Sequence, residues 1–127
     1  MSAVLRLVGV YNAEGSLRGE LAYLFGKLAG TARCALCDIT HRGVREKAEF
    51  KRCRGRFPVP LETLHLDEQD QELQAFTRGK TPCMVAVSEA GPVLLLDAEA
   101  LERCGQSVER FEEALQKALA ARFPGEP

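Results

Sequence analysis

Apolar and polar positions along the chain switch between two periods, and the switches mark its elements. Val4 to Tyr11 (VLRLVGVY) is a nearly continuous apolar run rich in valine, the pattern of a strand buried on both faces. Asn12-Ala13-Glu14-Gly15-Ser16 follows as a turn in which Ser16 can cap a helix. Leu17, Leu21, Leu24, Phe25 and Leu28 then recur on one helical face, and Gly30 stops that helix. After a cysteine-bearing segment, Val44 to Arg54 reads as a basic helix broken by Gly55 and Pro58. Leu61 to Leu66 reads as a second strand, and Glu68 to Thr77 as a short helix with Leu73 and Phe76 inward. Cys83–Val87 and Val93–Leu96 read as two strands joined by a turn at Glu89-Ala90-Gly91-Pro92. Asp97 caps a short helix ending near Cys104-Gly105. Ser107 caps a longer one with Val108, Phe111, Leu115, Leu119 and Phe123 as its buried stripe.

The order is strand, helix, cysteine segment with a helix, strand, helix, two strands, helix. A strand-helix-strand unit followed by a hairpin requires parallel pairing in one half of a sheet and antiparallel pairing in the other. The pattern therefore predicts an α/β fold, a mixed sheet of about four strands with helices on both faces. With 127 residues, 46% hydrophobic and 28% charged, the chain has the size and balance of a single domain spanning 1–127. A chain of this length buries roughly two thirds of its unfolded surface, so it needs neither disulfide nor metal merely to fold. The N-terminus lacks a secretory leader, and no apolar run reaches the length of a membrane span. The expectation is a soluble cytoplasmic protein, in which five cysteines read as metal ligands, redox thiols or core residues.

The net charge of −1 conceals an asymmetry. Arg42, Arg45, Lys47, Lys51, Arg52, Arg54 and Arg56 stand against only Glu46 and Glu49, a local net charge of +5. Such a patch can dock an anionic partner; alternatively it is a solvated face balanced by the acidic stretch Asp67 to Glu72. Few aromatics interleave with it, so nucleic acid is not the expected partner. There is no Gly-rich phosphate loop, nucleophile elbow or paired-carboxylate motif, which argues against an ordinary hydrolase, kinase or dinucleotide enzyme.

Chemistry concentrates in Cys34-Ala35-Leu36-Cys37-Asp38-Ile39-Thr40-His41. If residues 34–41 form two helical turns, Cys34, Cys37 and His41 share one face at i, i+3 and i+7. Two thiolates and an imidazole match the donor preference of zinc, with Cys53 as a fourth ligand in the spacing C-x2-C-x3-H-x11-C. Soft thiolate donors also suit copper(I) or an iron–sulfur cluster. A zinc site at Cys34, Cys37, His41 and Cys53 is the leading expectation. The rival is redox: a C-x-x-C pair at a helix start has a lowered first thiol pKa, so Cys34 attacks and Cys37 resolves. Arg33 and Arg42 would favour that thiolate, and His41 could shuttle a proton. Ordinary packing is the third reading, since cysteine is among the most buried residue types.

Elsewhere, Cys83 and Cys104 read as structural, and His65 as a surface or satisfied histidine. Asn12, Glu14 and Ser16 occupy the carboxyl end of the first strand, where α/β sheets commonly bind ligands, although a turn with a helix cap is the favoured explanation.

The segment TPCMVAVSEAGPVLLLD with its closing helix resembles the second half of a thioredoxin-like domain, in which a Thr-Pro pair precedes the third strand. The resemblance covers about residues 4–30 and 60–123. It implies a three-layer thioredoxin-like sandwich, a cis Thr81-Pro82 bond facing a redox site, and an inserted Cys/His segment with a basic helix at about 31–57. The family's dithiol lies in the turn after the first strand, whereas Cys34 and Cys37 follow the first helix. A straight helix of that length, about 21 Å, would put the pair near the opposite end of the domain from Pro82. The string CALCDITH is also similar to one in small uncharacterised bacterial proteins, a resemblance that implies no activity.

Overall fold

The computed structural model describes residues 3–12, 35–42 and 45–124. The expected helix of residues 17–28, its cap Ser16 and its stop Gly30 lie outside the described residues, as does Cys34. Strand β1, Val4–Val10, is the run read from the sequence, and it lies inside a four-stranded sheet. Its neighbours are β4, Leu61–Leu64, in parallel and β5, Cys83–Ser88, in antiparallel register, with Val10 opposite both Leu64 and Cys83. Strand β6, Gly91–Leu96, completes the order β4-β1-β5-β6 as an antiparallel partner of β5. The mixed pairing is as expected, with parallel strands in one half and antiparallel strands in the other.

A separate two-stranded ribbon pairs β2, His41–Arg42, with β3, Arg45–Glu46. The five described helices are α1 (Ala35–Thr40), α2 (Ala48–Gly55), α3 (Gln71–Thr77), α4 (Ala98–Glu102) and α5 (Val108–Arg122), with a 3-10 turn at Leu66–Glu68. None is long and apolar enough to cross a membrane.

Alternation along β1 and β5 divides the core in two. Leu7, Tyr11, Met84 and Ala86 join Leu36 and Ile39 of α1, Phe50 and Cys53 of α2, Leu101 of α4, and Phe111 and Leu115 of α5. Val8, Val10, Cys83 and Val85 face the other way, toward Leu73 of α3. Helices thus cover both faces, and the stripe read in α5 is the one that packs: Val108, Phe111, Leu115 and Phe123 are buried and Leu119 partly so.

Capping fixes three helix starts. Asp97 accepts from Ala100 N–H at 2.8 Å and Ser107 from Arg110 N–H at 3.2 Å, as the sequence implied. Asp70 accepts from Leu73 N–H at 2.8 Å, so the helix expected from Glu68 begins later, at Gln71. The hairpin turn is tighter than expected. Gly91, at φ +115°, already belongs to β6, and Ser88 Oγ holds the turn by donating to Gly91 O at 2.8 Å. The Thr81-Pro82 bond is cis.

Candidate functional site

Helix α1 carries the central part of the CALCDITH segment. Leu36, Ile39 and Thr40 are buried beneath it, while Cys37 and Asp38 are half-buried. The absence of a side chain at Gly9 makes room for this helix. A Cβ built there would lie 2.8 Å from Met84 Sδ and 3.0 Å from Leu36 Cδ2. Both atoms therefore converge on one point above β1, and Met84 is two residues past Pro82. Leu36 of α1 thus meets the sheet beside Gly9 of β1. Gly9→Ala should cost about 1–3 kcal/mol by overpacking that point, read as a lower urea midpoint than wild type. An unchanged midpoint would mean that α1 does not press on β1.

Cys37 is held in a disulfide. Cys53, Cys83 and Cys104 are buried free thiols. Cys53 sits in the core beside Phe50, and burial together with the neighbouring Glu112 carboxylate pushes its pKa up to about 12. Burial in the second core pushes Cys83 up to about 11, and burial raises Cys104 as well. At neutral pH these three are inert packing residues. In the unfolded chain Cys53 and Cys83 would ionise near 9.0, well below their folded values. The unfolded state then binds fewer protons than the folded one, so stability should fall as pH rises above about 9. Urea midpoints at about pH 8 and about pH 10 check this, and the drop should shrink in a Cys53→Ala, Cys83→Ala double variant.

His41 departs from the sequence reading. It lies in β2 opposite Glu46, one residue beyond the end of α1, and so is not on the helix that carries Cys37. A polar cluster holds it instead. His41 Nδ1 is 2.6 Å from Thr40 Oγ1, and Thr40 Oγ1 is 2.9 Å from the Tyr11 hydroxyl. Thr40 also donates to Cys37 O at 3.4 Å, tying the cluster to the disulfide-bearing residue. Burial lowers the pKa of His41, opposed by the Glu46 carboxylate, and burial raises that of Tyr11. The Tyr11 ring lies between two imidazoles, 5.9 Å from His41 and 5.1 Å from His65. His65 is satisfied, its Nδ1 2.7 Å from Glu68 Oε1. Tyr11 and Thr40 had no motif to mark them. Only the alternation that sets Tyr11 with Leu7 and Gly9 hinted at its face.

Among the described residues no three His, Cys, Asp or Glu side chains are grouped to hold a metal ion. Cys37 and His41 lie in consecutive elements, whereas Cys53 belongs to the core side of α2. The basic segment is partly neutralised: Arg54 pairs with Glu46 of the same segment at 2.9 Å and Arg56 with Glu112 of α5 at 2.5 Å. In the acidic stretch, Asp70 lies 3.7 Å from Arg6, which also pairs with Glu62. Asn12 is exposed and accepts from Thr81 Oγ1 at 3.1 Å, while Glu14 and Ser16 lie outside the described residues. Compared with known proteins, the chain matches no family model, no curated protein and no solved structure.

Proposed function

We propose that this chain is a thioredoxin-like thiol–disulfide protein whose redox couple is Cys34 and Cys37. The observation that carries the reading is Cys37 itself. It is the one described cysteine in a disulfide and the one that is only half-buried, while three other thiols are sequestered in the core. The strand order supports the fold half of the proposal. The first two long strands are parallel, the first and third antiparallel, and the fourth completes a hairpin at the edge, the connectivity of a thioredoxin-like sheet.

On this reading the Cys34 thiolate attacks a sulfur of a partner's disulfide, forming a mixed disulfide and releasing the partner's other sulfur as a thiol. Cys37, losing its proton, then attacks Cys34 Sγ; the mixed bond breaks, and the partner leaves as a dithiol. Two electrons and two protons pass from the pair to the partner, and Cys34–Cys37 is the oxidised product. His41, kept neutral at pH 7 by burial, is a base four residues from Cys37 that can take the proton. In a reducing cytoplasm the couple would return to the dithiol.

The test is reduction of a peptide disulfide by dithiothreitol with and without the protein. The reading predicts acceleration that saturates with substrate. No acceleration, together with about one zinc retained per reduced chain, would instead assign Cys34, Cys37 and His41 to a metal site. Binding of an anionic partner that weakens steeply with salt and ignores the cysteines would assign the function to the basic 42–56 segment.

A further inference from the structure

A cleft of about 450 Å³ opens at the carboxyl end of β1. It lies on the second-core side, because its walls are the 3-10 turn and α3, whose Leu66 and Leu73 pack in that core. Cys37 packs against the other core. The floor is closed by its own hydrogen bonds. Thr77 Oγ1 donates to Gln69 Oε1 at 2.5 Å, and Gln69 Nε2 donates to Leu66 O at 3.1 Å.

The rim is different. Thr81 Oγ1 donates to Asn12 Oδ1, which fixes the Asn12 amide and leaves its two N–H donors unspent among the described residues. Gln74 is exposed and makes no side-chain hydrogen bond among the described residues. Arg78 also lines the cleft, is exposed, and among the described residues has neither an ion pair nor a side-chain hydrogen bond. Among the described residues no carboxylate lines the cleft. The unsatisfied groups are therefore mostly donors, headed by one planar cation, and their complement is an acceptor-only anion.

We propose that this cleft binds a small molecule through a carboxylate, held by the guanidinium fork of Arg78 with the Asn12 and Gln74 amides completing the contacts. A carboxylate offers two coplanar oxygens to that fork, and its single charge matches the single cation. A phosphate dianion would normally call on further cations, and Arg78 is the one cation among the described lining residues. The volume suits a ligand well beyond a bare ion. This inference needs no cysteine chemistry and stands or falls apart from the redox reading.

The experiment is an amide-resolved NMR titration of the full chain with succinate, with phosphate at matched ionic strength as the control anion. Saturable shifts confined to Asn12, Gln74, Arg78, Gly79 and Thr81 are expected, weakened about tenfold or more in Arg78→Gln by loss of a charged hydrogen bond. The same binding should persist in Cys37→Ser, which separates this result from the fate of the redox couple. Shifts that never saturate, that survive Arg78→Gln unchanged, or that phosphate reproduces at equal concentration would overturn the proposal.

Discussion

Cys37→Ser is expected to slow sharply the protein's acceleration of the dithiothreitol-driven reduction of a peptide disulfide. The reasoning is about a missing leaving step. With a hydroxyl in place of the resolving thiol, a mixed disulfide on Cys34 has no internal nucleophile to displace the partner, so its release waits for a bimolecular attack by dithiothreitol. None of the other described cysteines can substitute. Cys53 and Cys83 are fully buried thiols, pushed up to about 12 and about 11, and Cys104 is buried as well. Once dithiothreitol is removed, the reduced variant should trap the peptide as a stable mixed disulfide on Cys34. An undiminished rate in Cys37→Ser, with the fold intact, would remove the resolving role from Cys37.

Phe111→Ala is expected to cost the fold about 3–5 kcal/mol, the usual range for emptying a buried aromatic site. Phe111 is fully buried on α5, and its ring lies 6.0 Å from that of Phe50 on α2, itself fully buried. The pair joins the C-terminal helix to the helix that follows the ribbon, across the same core that seats Leu36 and Ile39 of α1. Since small domains are stable by only about 5–15 kcal/mol, the variant should unfold at a far lower urea concentration, or fail to fold at 37 °C. Leu5→Ala, at a side chain 53% exposed, is the matching control and should stay within about 0.5 kcal/mol of wild type. Equal losses at both positions would mean that this core is not where the stability resides.

Much of the frame was legible because it follows from periodicity and capping. The apolar run at Val4, the hairpin around Gly91 and the stripe of α5 are long enough for their periods to show. Asp97 and Ser107 are side-chain caps at the positions where the pattern changes period. What resisted were features shorter than one period. The ribbon of His41–Arg42 with Arg45–Glu46 has two residues a side, too few to display alternation, so Arg45 and Glu46 read as helix and His41 as its neighbour's extension. The stretch from Asp67 to Glu72 offers two aspartates able to cap, and only the three-dimensional fit of Leu73 into the second core selects Asp70. Cys53 shows the same limit from the other side. Its place three residues after Phe50 is an ordinary core spacing, and its distance from His41 along the chain invited a ligand role that its burial beside Glu112 does not favour.

The site was legible as a segment and not as an arrangement. CALCDITH marked the segment that carries Cys37 and His41, but Tyr11, twenty-nine residues before Thr40, joins it only through the fold. Gly9 is similar: in sequence it interrupts an apolar strand, and in the structure it is the gap into which Leu36 and Met84 fit.

The most direct test of the account is a thiol count across a graded dithiothreitol redox buffer, with alkylation of the quenched, unfolded protein and peptide-level mass readout. The account predicts one two-electron transition in which Cys34 and Cys37 lose their labels together, while Cys53, Cys83 and Cys104 stay labelled throughout. Independent labelling of Cys34 and Cys37 at every potential, or Cys37 found linked to any cysteine other than Cys34, would contradict it.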